Sequence, residues 1–323
     1  MRHRKYLAVA SVCALAFGAA ACGDDDGDST SATGGSGSAG SALSGSIAID
    51  GSSTVYPFAQ AAAEAFQTEN PGVRITVGQS GTGGGFEKFC NGETDISDAS
   101  RPIKEDEEAP ICAENGVKYE ELQVVNDGIA VVTSSELAIE CLTVDQLEEL
   151  WSTDKISNYS ELDPSLPDQD VSLFGPGTDS GTFDFFTDVI NGEEGLTRKD
   201  YQPSEDDNVL VQGVSGDAGG LGYFGFSYYE QNQDKLNLVG VDDGDGCVAP
   251  DVAKIQDGSY TPLSRPIFMY PSAESMQRPE VKAFMDFTMA NQATIAENAQ
   301  MVPMTDAQIA EAQEKLAALE GAQ

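Results

Sequence analysis

Three times in this chain a short alternating apolar segment runs into a turn of Ser, Thr and Gly, and then into apolar residues at helical spacing. In the first unit residues 46–50 alternate, Gly51-Ser52-Ser53-Thr54 turns, and Phe58, Ala62, Ala65 and Phe66 share one helical face. In the second, residues 73–77 lead through a turn at 78–85 to Phe86 and Phe89. In the third, residues 171–174 lead through 175–182 to Phe183, Phe186, Val189 and Ile190. A side-chain period of two that gives way to 3.6 marks a strand followed by a helix. Repeated along one chain, it predicts α/β architecture with largely parallel sheets.

The remaining elements fit that plan. Residues 129–133 predict a buried strand, and a helix is expected from Thr143, where Thr143 and Gln146 have capping-box spacing. Further helices are expected at about 279–291 and 306–319, the latter opened by Thr305 and Gln308 in the same spacing. Residues 219–226 read as a sheet segment or hinge whose aromatics are core.

The N-terminus reads differently. Arg2, Arg4 and Lys5 precede an apolar run at 7–21, too short for a comfortable membrane span and typical of an export signal. The run ends in Ala19-Ala20-Ala21-Cys22, which resembles the lipobox of bacterial lipoproteins, although Ala19 stands where that pattern prefers Leu. A signal at 1–21, lipidation at Cys22 and a Gly/Ser-rich tether at 22–45 are therefore expected.

Cleavage there would remove Cys13 and His3, the chain's single histidine. A Ser-His-Asp triad, a Cys-His pair and His-ligated metal sites are thereby excluded from the exported chain. Cys90, Cys112, Cys141 and Cys247 then form an even set in an oxidising compartment, allowing three pairings. Cys90–Cys112 with Cys141–Cys247 is favoured, because the first pair is local and the second would staple one lobe.

Charge narrows the partners. With 54 Asp+Glu against 17 Lys+Arg, the net charge is −37, which repels nucleic-acid phosphates and anionic lipid surfaces. It does not exclude a small oxyanion in a cleft, because surface charges beyond about 8–10 Å are screened in physiological salt. Helix starts carry unpaired N–H groups and the positive end of the macrodipole, hydroxyls add donors, and Gly permits close approach. Three such turns converging would make an oxyanion cage. Rival readings of the glycines fail on spacing. Phe86 stands where a Walker loop or a dinucleotide fingerprint started at Gly81 needs Gly, and Thr82 spoils a nucleophile elbow at Ser80. The acidic run at 242–246 has Ala253 where an EF-hand loop needs Glu, so it reads as a solvated turn. Residues 95–101 predict a short strand ending in Ser100-Arg101, a candidate bidentate clamp in a cation-poor chain.

Residues 51–57, the Gln79-Ser80-Gly81-Thr82-Gly83 turn, residues 95–101 and Thr178-Asp179-Ser180-Gly181-Thr182, in this order, closely resemble the phosphate-binding lipoproteins of the bacterial Pst ABC transporter. Gly222-Tyr223 and Pro262-Leu263-Ser264-Arg265-Pro266 fit the same pattern, and the likeness covers about residues 46–310. It implies a two-lobed, type II periplasmic-binding-protein-like α/β fold with hinge strands and an interlobe cleft. The lobes would be residues 46–132 plus 263–323, and 133–262. The implied function is extracytoplasmic binding of inorganic phosphate and its delivery to a membrane permease. No enzymatic role, catalytic residue, cofactor or metal is implied.

By motif, Ser53, Thr54, Ser80, Gly81, Ser100, Arg101, Ser180, Gly181 and Thr182 should hold the phosphate. Asp98 and Asp179 are the candidates for the carboxylate that, in this family, accepts the phosphate's own proton. Many members carry an arginine four residues before the serine of the Ser-Gly-Thr turn. Here that residue is Pro176, which puts more weight on Arg101. The expected protein is a lipid-anchored monomer, on a Gram-positive surface rather than in a periplasm. The alternatives are another oxyanion (sulfate, molybdate, a phosphonate) or, from a different class, a secreted phosphatase using Ser180.

Overall fold

The alternation at residues 46–50 folds as strand β1 (Gly45–Gly51), and the apolar stripe after it as helix α1 (Tyr56–Glu69). The computed structural model describes residues 43–153 and 155–321. The expected signal segment, Cys22 and nearly all of the expected tether lie outside the described residues. The second and third units also form: β2 (Val73–Gln79) runs into α2 (Gly81–Cys90), and β6 (Ser172–Pro176) into α5 (Gly181–Asn191).

The other strands are β3 (Ile96–Ala99), β4 (Leu122–Ser134), β5 (Cys141–Thr143), β7 (Gln202–Ser204), β8 (Gly220–Gly225), β9 (Leu236–Asp242), β10 (Cys247–Val248) and β11 (Ser264–Pro271). The other helices are α3 (Ala109–Glu114), α4 (Val144–Ser152), α6 (Asp207–Gly216), α7 (Phe226–Glu230), α8 (Val252–Gln256), α9 (Pro279–Ala290), α10 (Gln292–Asn298) and α11 (Asp306–Gly321). The strands hydrogen-bond in the order β2-β1-β3-β11-β4-β8-β6-β7, with β9 pairing β4, β5 and β10. The strands that open the repeated units pair in parallel, β1 with β2 and β3 and β6 with β7 and β8, as their helical crossovers require. β4 and β11 run antiparallel through the middle of the order.

Two large cores form on this sheet. One gathers Ile47, Phe58, Phe66, Val124, Ile267, Phe284 and Leu316. The other gathers Val131, Leu150, Trp151, Phe186, Leu221, Tyr223 and Val239, so the aromatic 219–226 segment is core as expected. β4 passes from one core to the other between Val125 and Ile129, and the chain around β11 does the same between Leu263 and Ile267. Arg265 and Asp127 face each other in register at that crossing.

Local chemistry explains several element ends. Thr143 Oγ1 accepts from Gln146 N at 3.1 Å while Gln146 Oε1 accepts from Thr143 N at 2.9 Å, closing the capping box before α4. Thr305 and Gln308 repeat it before α11, at 3.2 and 2.8 Å. Asp242 Oδ1 accepts from the amides of Gly244 and Gly246, which makes the acidic run a self-bonded turn. The favoured cysteine pairing is the one formed. Cys90–Cys112 joins the end of α2 to α3, and Cys141–Cys247 joins β5 to β10 beside β9.

Candidate functional site

Segments remote in sequence meet at one cavity of about 550 Å³, to which α5 and the chain after it contribute Asp184, Phe185, Asp188 and Glu194. The turn before α1 brings Ser53 and Thr54, and the start of α2 brings Ser80, Gly81, Thr82 and Gly83. The end of β3 brings Ser100 and Arg101, and the start of β11 brings Arg265. Strand ends followed by helix starts collect on the same edge of a sheet built from such units, which is where ligands of α/β proteins bind. A second cavity of about 490 Å³ shares Ser53 and Thr54 and is lined by Asp179, Ser180, Gly181 and Thr182 at the start of α5. A larger one, about 700 Å³, lies between Asp95, Lys118, Ser272 and Arg278 and holds none of the expected residues.

The helix starts are not equivalent. Ser180 caps α5, its Oγ accepting from Thr182 N at 3.2 Å. At α1, Ser52 serves the turn, with Thr54 N donating to Ser52 Oγ at 3.2 Å and Tyr56 N to Ser52 O at 3.1 Å. Ser80 gives α2 no side-chain cap. The glycine-rich first turn of α2 therefore offers uncapped amides to an anion. Ser80 Oγ donates to Asp50, which also receives Lys88 Nζ at 2.7 Å. Thr82 Oγ1 and Ser100 Oγ share a hydrogen bond of 3.0 Å, and Ser100 N donates to Thr82 Oγ1 at 3.2 Å.

Two arginines stand at the cavity in different states. Arg101 Nη1 donates to Glu108 Oε2 at 2.9 Å and to the Pro102 carbonyl at 3.0 Å, and its Nη2 donates to Glu108 Oε1 at 2.7 Å. Of the five guanidinium N–H groups, Nε–H and one Nη2–H have no partner among the described residues, and these two form one edge of the fork. Arg265 spends four of its five N–H groups on the protein. Its Nε donates to Asp127 Oδ2 at 3.2 Å, its Nη1 to the Ser100 carbonyl at 3.5 Å, and its Nη2 to Thr54 Oγ1 at 2.8 Å and to the Gly181 carbonyl at 3.4 Å. Its guanidinium lies 3.7 Å from the ring centroid of Phe185. The Arg265 side chain is 15% exposed against 35% for Arg101.

At Gly181 the start of α5 meets the turn before α1. A Cβ there would collide with Oγ1 and N of Thr54 and stand 2.5 Å from its Cα. Ser53 Oγ adds a bond of 3.3 Å to Asp184 Oδ2 on α5. Burial and then Glu194 raise the Asp184 carboxyl above its ordinary range, and the Ser53 bond and Arg265 only partly offset them.

Of the expected residues, Ser53, Thr54, Ser80, Gly81, Ser100 and Arg101 line one cavity, and Asp179, Ser180, Gly181 and Thr182 the neighbouring one. Asp98 lines neither. It is fully buried in β3, both carboxylate oxygens lack a partner, and burial followed by the Asp50 charge raises its pKa well above the ordinary carboxylate range. A side chain sealed under the sheet cannot meet a ligand at the strand end. Asp184, Thr82 and Arg265 were not among the expected site residues. Arg265 had a signal, since it sits in the 262–266 run. Asp184 had none beyond its place two residues after the Ser-Gly-Thr turn.

A model of the PBP superfamily domain matches residues 36–292. The chain belongs to the PBP superfamily. Within it the chain is PstS-like. It is 43% identical over 262 residues to Protein SphX of Synechococcus elongatus, covering 80% of this chain and 77% of that one. It is 38% identical over 289 residues to the phosphate-binding protein PstS of Staphylococcus saprophyticus, covering 88% and 89%. Among solved structures it is similar to a possible phosphate binding protein from Planctomyces limnophilus, with TM-score 0.81, 44% identity, and coverage of 86% of this chain and 99% of that one. The PstS-like fold accounts for the crossing strands and for helix starts that meet between two cores. PstS-like proteins are transporter components, not an enzyme family.

Proposed function

We propose that this chain binds inorganic phosphate at the cavity lined by Ser53, Thr54, Ser80, Gly81, Ser100 and Arg101, and passes it to the permease of an ABC transporter. The observation that carries this reading is the unbonded edge of the Arg101 fork beside the uncapped, glycine-rich start of α2. A guanidinium edge and free backbone amides match the oxygens of a dehydrated oxyanion. Relatives named as phosphate-binding proteins support phosphate as that anion.

The two cores are the two lobes, and β4 with the start of β11 is the hinge. Because residues 129–132 and Leu263 pack in the second core, the crossings fall at about residues 126–128 and 264–266 rather than at the expected 132/133 and 262/263. Ser180, Gly181 and Thr182 approach the anion from the second lobe when the cleft closes. Asp184 is the carboxylate that faces the phosphate's proton, in place of Asp98 and Asp179. It borders the cavity, and burial followed by the Glu194 charge raises its pKa, so it takes up a shared proton more readily than an ordinary carboxylate. A carboxylate that must receive a proton from its ligand disfavours sulfate, which has none to give.

The protein acts as a non-enzymatic monomer outside the cytoplasm. Two disulfides support an oxidising compartment. No helix among the described residues is long and apolar enough to cross a membrane. The lipidated Cys22 is the proposed membrane anchor, with the tether giving reach from a Gram-positive surface.

Titration calorimetry on protein stripped of endogenous ligand tests the reading. One tight phosphate site that survives roughly tenfold excess sulfate is expected. Equal competition by sulfate would reassign the site to a general oxyanion.

A further inference from the structure

We infer that Glu108 is a positioning residue of the anion site, which holds the Arg101 guanidinium so that its free fork edge is fixed at the cavity. This rests on the phosphate reading above. Arg101 has a long, rotamer-rich side chain that is about one-third exposed, and left alone it would sample many orientations at the rim. Glu108 removes that freedom. Its two oxygens take one N–H from each terminal nitrogen, at 2.9 and 2.7 Å, the planar bidentate arrangement that fixes the guanidinium plane. The Pro102 carbonyl takes the outer Nη1–H, so what remains is the Nε–Nη2 edge. Nη2 lies 4.0 Å from where a Cβ on Gly83 would stand, in the first turn of α2. Glu108 Oε1 lies 3.9 Å from the same point, so the pair as a unit stands beside the open helix start.

Glu108 is itself held. Its Oε2 accepts from Lys104 N at 3.0 Å, and its own amide donates to the Lys104 carbonyl at 3.1 Å. Its carbonyl receives Ile111 N and Cys112 N at the start of α3, and Cys112 is bonded to Cys90 at the end of α2. The carboxylate that aims Arg101 is therefore tied to the same helix whose first turn lines the cavity. Burial alone would raise the Glu108 carboxyl, but the Arg101 bonds and the Lys104 amide hold it below its ordinary range. The groups around the pair are Lys104, Glu107 and Tyr270, and of these Lys104 is engaged by Glu107 at 2.8 Å.

A purely structural role for Glu108, in the 104–108 turn, is the competing account, and a double-mutant cycle separates the two. Phosphate affinity of the full chain is measured by calorimetry for wild type, Glu108→Gln, Arg101→Ala and the double variant, with melting temperature as the folding control. Positioning through Arg101 predicts that Glu108→Gln raises Kd about tenfold in the wild-type background and leaves it within about twofold in the Arg101→Ala background. Glu108→Asp, which keeps the charge but withdraws the carboxylate by one methylene, is expected to lose affinity likewise and covers the case in which the Gln variant folds poorly. An unchanged or lower Kd in both Glu108 variants overturns the inference, as does an equal loss with and without Arg101. Wild-type chain that takes up no phosphate would overturn the phosphate reading, and this inference with it.

Discussion

Thr54 Oγ1 accepts a hydrogen bond of 2.8 Å from Arg265 Nη2, and the same nitrogen reaches the carbonyl of Gly181 at 3.4 Å. One guanidinium thus ties the turn before α1 to the start of α5, while Asp127 holds its other end at 3.2 Å where β4 and β11 cross. Arg265→Ala should raise the phosphate Kd at least tenfold and cost roughly 2–3 kcal/mol of stability. That is less than the ~3–5 of a fully buried pair, because the side chain keeps some solvent. Arg265→Lys should recover part of the stability and little of the affinity, since an ammonium cannot reach four separated acceptors as a fork does. Calorimetry and urea unfolding on both variants check this, and a Lys variant with wild-type Kd would sink it.

Gly181→Ala tests closure. The added methyl would overlap Thr54, although Gly181 does not have a left-handed φ and alanine suits the helix start. Stability is expected to fall by about 1–3 kcal/mol, the cost of relieving the overlap with the Thr54 backbone, unless the two helix starts part. Phosphate affinity should fall sharply, because the two helix starts could no longer touch. Thermal melting and calorimetry on the same preparation give both numbers, and undiminished binding would mean that the Gly181–Thr54 contact is dispensable.

Asp98 sets a pH dependence. Its folded pKa is raised by burial and by Asp50, so the neutral acid is the form that suits the folded state. Its contribution is fully present below the ordinary carboxylate value of about 3.9 and is lost as pH rises toward the folded value. Over that window stability should fall by up to ~1.4 kcal/mol per pH unit from this group. Asp98→Asn should flatten the slope of urea-unfolding stability as pH rises above the ordinary carboxylate value of about 3.9. A variant with the wild-type slope would show that Asp98 has found a partner.

Asp184→Asn bears on anion choice. Replacing the carboxylate with an amide gives the site a donor where it had only acceptors, so sulfate should gain affinity relative to phosphate, by about tenfold in the ratio of their Kd values. Competition calorimetry reads that ratio directly, and an unchanged ratio would assign selectivity to another group.

The disulfides should differ in worth. Cys90–Cys112 closes a separation of 22 residues and Cys141–Cys247 one of 106. Loop entropy gives about 3 and about 5 kcal/mol respectively. Paired Cys→Ala variants unfolded in urea should show that order.

Much of the site was legible because its parts are local. A strand, a Ser/Gly turn and a helix within about twenty residues announce themselves by period and by turn chemistry, and Ser53, Thr54, Ser80, Ser180 and Gly181 follow from that. Thr143 and Thr305 were readable as caps for the same reason. Asp98 misled because alternation around residues 95–101 shows a strand but not that both of its faces are covered, as all four residues of β3 are buried. A side chain one position off the strand end is buried, while Ser100 just beyond it reaches the cavity.

Arg101 and Arg265 divide what the sequence by itself determined from what only the tertiary structure decided. The order of elements, the α/β class, the hydroxyl-rich helix starts and the scarcity of cations are written in the sequence, since each depends on neighbours a few residues apart. Which cation stays free is not, because it depends on acceptors far away in the chain. Arg101 is paired within seven residues, to Glu108, and keeps an open edge. Arg265 gives four N–H groups to Thr54, Gly181, Asp127 and Ser100, separated from it by 211, 84, 138 and 165 residues. Only folding brings those acceptors within hydrogen-bond reach, and a guanidinium has only five N–H groups to share among protein and ligand.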